Sequence, residues 1–337
     1  MGLRIGINGF GRIGRLVVRA VIEYGIEDVE IVAINSPGAL ETQAHLLRYD
    51  TAHGRLKTEV KIEPGLMDFG TGPVRITHER DPANVNWGAL DVDVVMECSG
   101  FFRTKEAVQA HLDAGAKSVL ISAPGKNVDK TIVYGVNHAD LGKDDLVVSC
   151  ASCTTNCLAP LAKVLVDTVG IQRGFMTTIH AYTLDQRILD SSHPDLYRAR
   201  AAGQNMIPTS TGAAKAVGLV LPELEGKLHG SAVRVPTVNV SMIDLAFQPE
   251  KATTAEEINA IMKSAADGYM KGVLQYTEEP LVSSDLNHDP HSSTFAAPLT
   301  KVMDNELVKI IAWYDNEWGF ACRMIDVARV MKNVQTA

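Results

Sequence analysis

The sequence predicts an α/β protein: a doubly wound parallel sheet, then an α+β unit with a mostly antiparallel sheet. Three observations predict it. Short apolar strand patterns alternate with helical ones up to about residue 150. A glycine-rich turn joins the first strand to the first helix. Beyond about residue 172 the strand-like runs lengthen and partly alternate.

Leu3, Ile5 and Ile7 alternate with polar or small residues, which predicts the first strand. Helical spacing takes over at Ile13, Leu16, Val17, Ala20 and Val21, and Gly25 is its stop. Val29–Ile34 is a continuous apolar strand with one charge, as buried parallel strands are. Val92–Met96, Ser118–Ile121 and Leu146–Ser149 read the same way, with a helix near Lys105–Ala114. Later, Phe175–Ala181, Val238–Phe247 and Val308–Tyr314 read as antiparallel strands with one covered face. Thr254, then Glu257, then Ile258, Ile261 and Met262 predict a capped amphipathic helix ending at Gly268. A final helix is read from about Glu317 to Met331. No repeat or long linker intervenes, so the boundary near residue 150 is a change of pattern and not a flexible hinge.

Length and composition narrow the function. At 337 residues the chain has room for about two domains. An apolar share of 46% allows a sizeable core and argues against disorder. The net charge of -8 leaves no strong basic field, which disfavours nucleic acid as a primary partner. No apolar run approaches ~18 residues, so no membrane span is expected. The chain enters a strand pattern near Met1 without the layout of a signal peptide, and its five cysteines do not suggest a disulfide framework. Both readings predict a cytoplasmic protein with reduced thiols.

Gly9-Phe10-Gly11-Arg12-Ile13-Gly14 is a G-x-G-x-x-G that follows a strand and opens a helix, the context in which the motif binds a dinucleotide. Its glycines permit a tight turn, approach of a pyrophosphate, and close packing of helix on strand. The helix start offers N–H groups to the phosphates. The fingerprint also wants a carboxylate ~20 residues on; here the second strand ends in Asn35-Ser36-Pro37 and has none.

Cys150-Ala151-Ser152-Cys153-Thr154-Thr155-Asn156-Cys157 follows a strand and precedes a helical pattern. A thiol at a helix start is expected to be acidified. A thiol of pKa ~8.5 is about 3% thiolate at pH 7, and a pKa of ~6 would make it about 90% thiolate. No fourth ligand lies near the three cysteines, so no metal is expected. Cys150 and Cys157 read as buried small apolar side chains.

The segment Ser152–Cys157 resembles the active-site signature of glyceraldehyde-3-phosphate dehydrogenases, and Asn8–Arg15 resembles their N-terminal motif. The likeness continues through Thr178–Thr183, Pro208–Lys215, Arg234–Thr237 and Trp313–Gly319, in the family's order and over essentially the whole chain. It implies a Rossmann NAD(P)-binding domain over residues 1–152 and a catalytic domain over 153–316, with the helix in 317–337 packing back on the first. A homotetramer is also implied, with the loop from about Tyr182 to Met206 bordering cofactor and subunit contacts.

The implied reaction is the phosphorylating oxidation of D-glyceraldehyde 3-phosphate to 1,3-bisphosphoglycerate with reduction of NAD(P)+. It runs through a hemithioacetal and a thioester on Cys153, with His180 as base. The resemblance assigns Thr183 and Arg234 to the substrate phosphate, with Arg198 nearby and Asp185 orienting the arginines. It assigns Ser152, Thr154, Thr211 and Gly212 to inorganic phosphate. Cofactor residues are implied at Gly9, Gly11, Arg12, Ile13, Gly14, Asn35, Ser36, Arg80, Ser99, Gly100, Ser122 and Ser192, with Asn316 fixing the nicotinamide carboxamide.

Three departures from the family pattern stand out. Cys150 replaces an asparagine. Ser36 replaces the aspartate of NAD-specific relatives, and Ser191-Ser192 replaces a Leu-Pro pair. The last two predict dual use of NAD and NADP, although no Lys or Arg lies between Ser36 and Ala44. Leu286–Ser292 is reminiscent of erythrose-4-phosphate dehydrogenases, the alternative enzyme, but Thr183 speaks against that branch. A nucleotide- or RNA-binding protein of the same fold is the non-enzyme alternative; retention of Cys153 and His180 speaks against it.

Overall fold

The computed structural model describes residues 2–336, which form two compact units: residues up to Ser152 together with those from Ala321 on, and Cys153–Phe320. In the first, strand β1 (Leu3–Asn8), helix α1 (Arg12–Glu23), β2 (Val29–Asn35) and α2 (Leu40–Arg48) are followed by a small ladder of β3 (Tyr49–Asp50) and β4 (Gly54–Arg55). Next come β5 (Lys61–Glu63), β6 (Leu66–Asp68), β7 (Pro73–Thr77), β8 (Val94–Glu97), α3 (Lys105–Asp113), β9 (Ser118–Ile121), β10 (Lys130–Thr131) and β11 (Val147–Ser149). The main sheet runs β10-β11-β9-β8-β1-β2-β7-β6-β5 and is parallel except at its β6 edge. Its order reverses at β1, so a crevice opens beyond the carboxyl ends of β1, β2, β8 and β9, where doubly wound sheets hold ligands.

The elements follow their local chemistry. Helix α1 buries Leu16, Val17, Val18, Ala20 and Val21, and its chain turns out at Gly25 with φ +58°. Strands β8 and β9 are buried along their whole length, as their unbroken apolar runs require. A core of Val32, Val95, Val108, Val119, Ile121 and Val147 closes around Trp87, which is wholly buried.

The second unit starts with α4 (Cys153–Thr168) and β12 (Arg173–Ala181). It continues through β13 (Ile207–Ser210), α5 (Ala213–Val220), β14 (Leu228–Val235), β15 (Ser241–Gln248) and α6 (Ala255–Asp267). It ends in β16 (Leu274–Thr277), β17 (Ser293–Ala296), β18 (Lys301–Met303), β19 (Leu307–Tyr314) and the start of α7 (Trp318–Thr336). The sheet β13-β14-β12-β15-β19-β17-β16 is mixed but mostly antiparallel; β12·β14 and β16·β17 are its parallel pairs. Strand β15 alternates buried and half-buried residues along its length, the sign of one covered face. The Thr254 side chain accepts the Glu257 N–H and caps α6, which stops at Gly268.

Some boundaries differ from the sequence reading. The strand expected from Val238 begins at Ser241, because Val240 takes φ +67° and breaks the extended run. Helix α7 continues past Met331 to Thr336, since no glycine or proline follows to stop it. Among the described residues, no helix is long and apolar enough to cross a membrane.

Candidate active site

The first unit offers a cradle at the end of β1. Gly9 sits at φ +94°, and a Cβ there would fall 2.4 Å from the Ser99 nitrogen. A Cβ on Gly14 would fall 2.3 Å from the Gly9 oxygen, so α1 packs on the strand only because that atom is missing. At Gly11 the same test finds nothing within 4 Å. Gly11 caps α1 without a side-chain acceptor, and the first turn carries no acid. The start of α1 therefore offers a positive helix end beside the open position at Gly11, which suits a pyrophosphate.

The Arg12 guanidinium pairs with Asp50. Burial pushes the Asp50 carboxyl up, but hydrogen bonds from Arg12 and the His53 backbone outweigh it and hold it below the usual range. The Asn35 amide is bonded within the protein. Its Nδ2 donates to Asn8 Oδ1 (2.8 Å) and the Glu79 oxygen (2.9 Å), while its Oδ1 accepts from Thr77 Oγ1 (2.8 Å) and the Glu79 N–H (2.9 Å). With every group engaged, the amide stiffens the floor beneath the glycine turn.

That floor extends further than sequence reasoning found. Buried Glu97 accepts from Asn8 Nδ2 (2.5 Å), the Ser99 N–H (2.7 Å) and His111 Nε2 (3.0 Å), and His111 Nδ1 accepts the Trp87 indole N–H (3.1 Å). The available signal is that Asn8, Asn35 and Glu97 are each the polar residue ending an apolar strand. Ser99 is held by Glu97 through its hydroxyl as well, Gly100 turns at φ +78°, and the Ser122 N–H donates to the Glu97 oxygen (3.0 Å).

Ser36 is half-buried at the end of β2. Its N–H donates to the Thr77 oxygen (2.9 Å), and its carbonyl accepts from His78 Nδ1 (2.9 Å) and Gln43 Nε2 (3.2 Å). Pairing of β2 with β7 thus sets the exposed run His78–Glu79–Arg80 next to Ser36, with an arginine that the residues following Ser36 in sequence lack. Cys150 is wholly buried at the end of β11, with its N–H on the Ile121 oxygen (3.0 Å).

In the second unit, Cys153 is the first residue of α4, reached through Ala151 at φ +57°. Its Sγ lies 3.4 Å from His180 Nε2, near the end of β12. His180 Nδ1 is 2.6 Å from the Ala181 carbonyl oxygen. A carbonyl only accepts, so Nδ1 carries the hydrogen and Nε2 presents its lone pair to the sulfur. Arg234 Nη1 donates to the same carbonyl (3.1 Å) and stands 2.9 Å from Nδ1.

The charges run against simple thiolate formation. Burial pushes the Cys153 thiol up, and the Arg234 charge and hydrogen bonds at Thr154 oppose this without overcoming it. Burial and the Arg234 charge push His180 down to about 3, against its bond to Ala181. The direction at Cys153 is opposite to the acidified thiol expected at a helix start, and burial is its largest cause.

Thr154 is buried, with its hydroxyl in a 2.8 Å bond to the Tyr314 hydroxyl, which makes a second 2.8 Å bond to Thr178. The Thr154 side chain also bonds to the Cys153 sulfur. Tyr314 also sets its ring edge against His180, with centroids 6.0 Å apart. Nothing in the sequence pattern singles Tyr314 out, since its partners lie 160 and 136 positions away.

Asp185 pairs with Arg198 and, at 3.5 Å, with His193. It orients one arginine, not two; the Ala181 carbonyl orients Arg234. Arg198 Nε also donates to Thr209 Oγ1 (3.0 Å). Thr183 is exposed, with its N–H on Gln186 Oε1 (3.3 Å). Thr211 Oγ1 accepts the Ala213 N–H (3.2 Å), and Gly212 caps α5. Ser192 is exposed and its carbonyl holds Arg187, while Ser152 is half-buried. Asn316 is buried, with Oδ1 bonded to Ser241 Oγ (2.8 Å).

Comparisons with known proteins agree with this geometry. Residues 3–105 match the family described as the glyceraldehyde 3-phosphate dehydrogenase NAD binding domain, and residues 152–316 match the C-terminal domain of the same family. The glyceraldehyde-3-phosphate dehydrogenase of Cereibacter sphaeroides is 60% identical over 331 residues, covering 98% of this chain and 99% of that protein. The proteins of that name from Xanthobacter flavus and Geobacillus stearothermophilus are 58% and 54% identical, covering 98% and 97% of this chain and 99% and 98% of their own. Both family halves match in order and the relatives align nearly end to end, so the chain belongs to the glyceraldehyde-3-phosphate dehydrogenase family.

Proposed function

We propose that the chain oxidises D-glyceraldehyde 3-phosphate to 1,3-bisphosphoglycerate, consuming inorganic phosphate and reducing NAD(P)+. One observation carries this: the Cys153 sulfur lies 3.4 Å from a histidine nitrogen whose lone pair faces it. The sulfur adds to the aldehyde carbon, and the thiol proton passes through His180 Nε2 to the former carbonyl oxygen, giving a hemithioacetal. His180 then takes that hydroxyl proton as the carbon–hydrogen bond releases its hydride, leaving a thioester on Cys153. Phosphate oxygen attacks the thioester, the carbon–sulfur bond breaks, and His180 returns its proton to the sulfur. The Cys153 backbone N–H and His180 hold the developing oxyanion.

When bound, NAD(P)+ supplies the hydride acceptor and, through its ring charge, favours the thiolate. The open position at Gly11 and the uncapped start of α1 fit its pyrophosphate. Arg234, Arg198 and Thr183 hold the substrate phosphate, and Ser152, Thr211 and Gly212 hold inorganic phosphate. The exposed Leu184, Ile188, Leu189, Leu196, Tyr197 and Met206 support a subunit contact on the loop after β12, and with it a homotetramer. Five cysteines without a disulfide support a reducing, cytoplasmic setting. The test is kcat/KM for glyceraldehyde 3-phosphate against erythrose 4-phosphate: the first should be preferred at least about tenfold, ~1.4 kcal/mol of barrier. The opposite preference would reassign the substrate.

Dual use of NAD and NADP belongs to the same proposal. The end of β2 carries a neutral serine, with His78 against its carbonyl and Arg80 two residues beyond. Ser36 itself does not repel a 2′-phosphate as an aspartate in its place would. Ser36→Asp should raise the preference for NAD+ over NADP+ at least about tenfold in kcat/KM, roughly 1.4 kcal/mol. Wild-type enzyme that turns over NAD+ but not saturating NADP+ would refute dual use.

A further inference from the structure

We infer that Ser241 is a positioning residue for the cofactor carboxamide, its buried hydroxyl fixing which way the Asn316 amide faces. The inference rests on the proposed role of Asn316. Ser241 is the first residue of β15, with 1% of its surface exposed, and its register partner on β19 is Tyr314. Its Oγ lies 3.1 Å from the Ala181 nitrogen and 2.8 Å from Asn316 Oδ1.

The proton inventory leaves one arrangement. A backbone N–H only donates, so Ala181 gives its hydrogen to the Ser241 oxygen. The single hydroxyl hydrogen is then spent on Asn316 Oδ1. A flipped amide would point its NH2 at the hydroxyl and leave the serine hydrogen without an acceptor in a buried place. With Oδ1 held inward, Nδ2 is the end left for a ligand, and two donors there suit the carbonyl oxygen of a carboxamide.

The backbone around Ser241 is built to hold this contact. Val240, buried and β-branched, sits at φ +67°, a conformation such residues avoid. On its other side Asn239 Nδ2 donates to Asp315 Oδ2 (2.8 Å) and Asn287 Oδ1 (2.8 Å). Residues 239 and 241 thus grip the consecutive residues 315 and 316 from both sides of a strained link. Asp315 also accepts the Glu317 and Trp318 N–H groups (2.9 and 2.7 Å) at the start of α7, which fixes the turn carrying Asn316.

The test is the dissociation constant of NAD+ by titration calorimetry, with turnover and Cys153 alkylation by iodoacetamide measured alongside. Ser241→Ala should weaken NAD+ about tenfold, the scale of one lost buried hydrogen bond, and raise its KM in parallel. Alkylation of Cys153, measured without NAD+, should change far less than NAD+ affinity, which a general loosening of the unit would not allow. Ser241→Thr, which keeps the hydroxyl, should restore most of the affinity. In an Asn316→Ala background, Ser241→Ala should have no further effect on NAD+ binding. Should the alanine variant fail to fold, Ser241→Cys keeps the shape with a poor donor and carries the same expectations. Wild-type NAD+ affinity in Ser241→Ala, or additive losses in the double variant, would overturn the inference. Because the binding measurement needs no turnover, failure of the proposed reaction shows in the wild type, and failure of the Ser241 role only in the variants.

Discussion

Cys153→Ser should lower turnover by at least about a thousandfold while NAD+ still binds. The sulfur is the atom that becomes the thioester, and its site does not suit an alkoxide. Burial already raises the thiol despite Arg234 and the hydrogen bonds at Thr154. A serine hydroxyl ionises far less readily than a thiol, so the nucleophilic anion is harder to form at this site. The dinucleotide cradle lies in the first unit, on Gly9, Gly11 and Gly14, so the substitution leaves those groups untouched. Steady-state rates and NAD+ titration check this; a variant retaining a tenth of wild-type turnover would mean another group is the nucleophile.

His180→Asn should cost about 10²–10⁴ in kcat, the usual span for a positioned acid–base group. It also carries a signature in stability. Folded His180 stays neutral down to about pH 3, whereas an unfolded histidine takes its proton near 6.5. Between those values the unfolded chain binds the extra proton, so this residue's contribution is present above about pH 6.5 and is lost as pH falls toward 3. Wild type should therefore lose more stability than His180→Asn when urea midpoints at pH 7 and pH 4.5 are compared. Equal losses in the two proteins would show that His180 is not held neutral by the fold.

The legible parts of the molecule are those where one residue type answers a local demand. Gly9 and Gly14 are needed for a positive φ and a close backbone approach, and Thr254 for the orphan N–H of α6. The buried strands β8 and β9 announce themselves as apolar runs. The short strands β5 and β6, each three residues long, fall below the length at which a pattern shows. What stayed hidden depends on neighbours across the sheet. His78 meets Ser36 only because β2 pairs with β7. Asn35 is occupied because four groups converge on its amide. Tyr314 joins Thr154 to Thr178 through the fold alone. The Cys153 thiol is raised by burial, which no spacing rule reports.

The central claim is that oxidation leaves an acyl group on Cys153 that only phosphate removes efficiently. The direct measurement is rapid-mixing formation of NADH from glyceraldehyde 3-phosphate and NAD+, with and without inorganic phosphate. Without phosphate, absorbance should rise by about one equivalent per chain and then nearly stop, and added phosphate should start sustained turnover. Sustained turnover at the same rate without phosphate, or no burst at all from enzyme that turns over once phosphate is present, would contradict it.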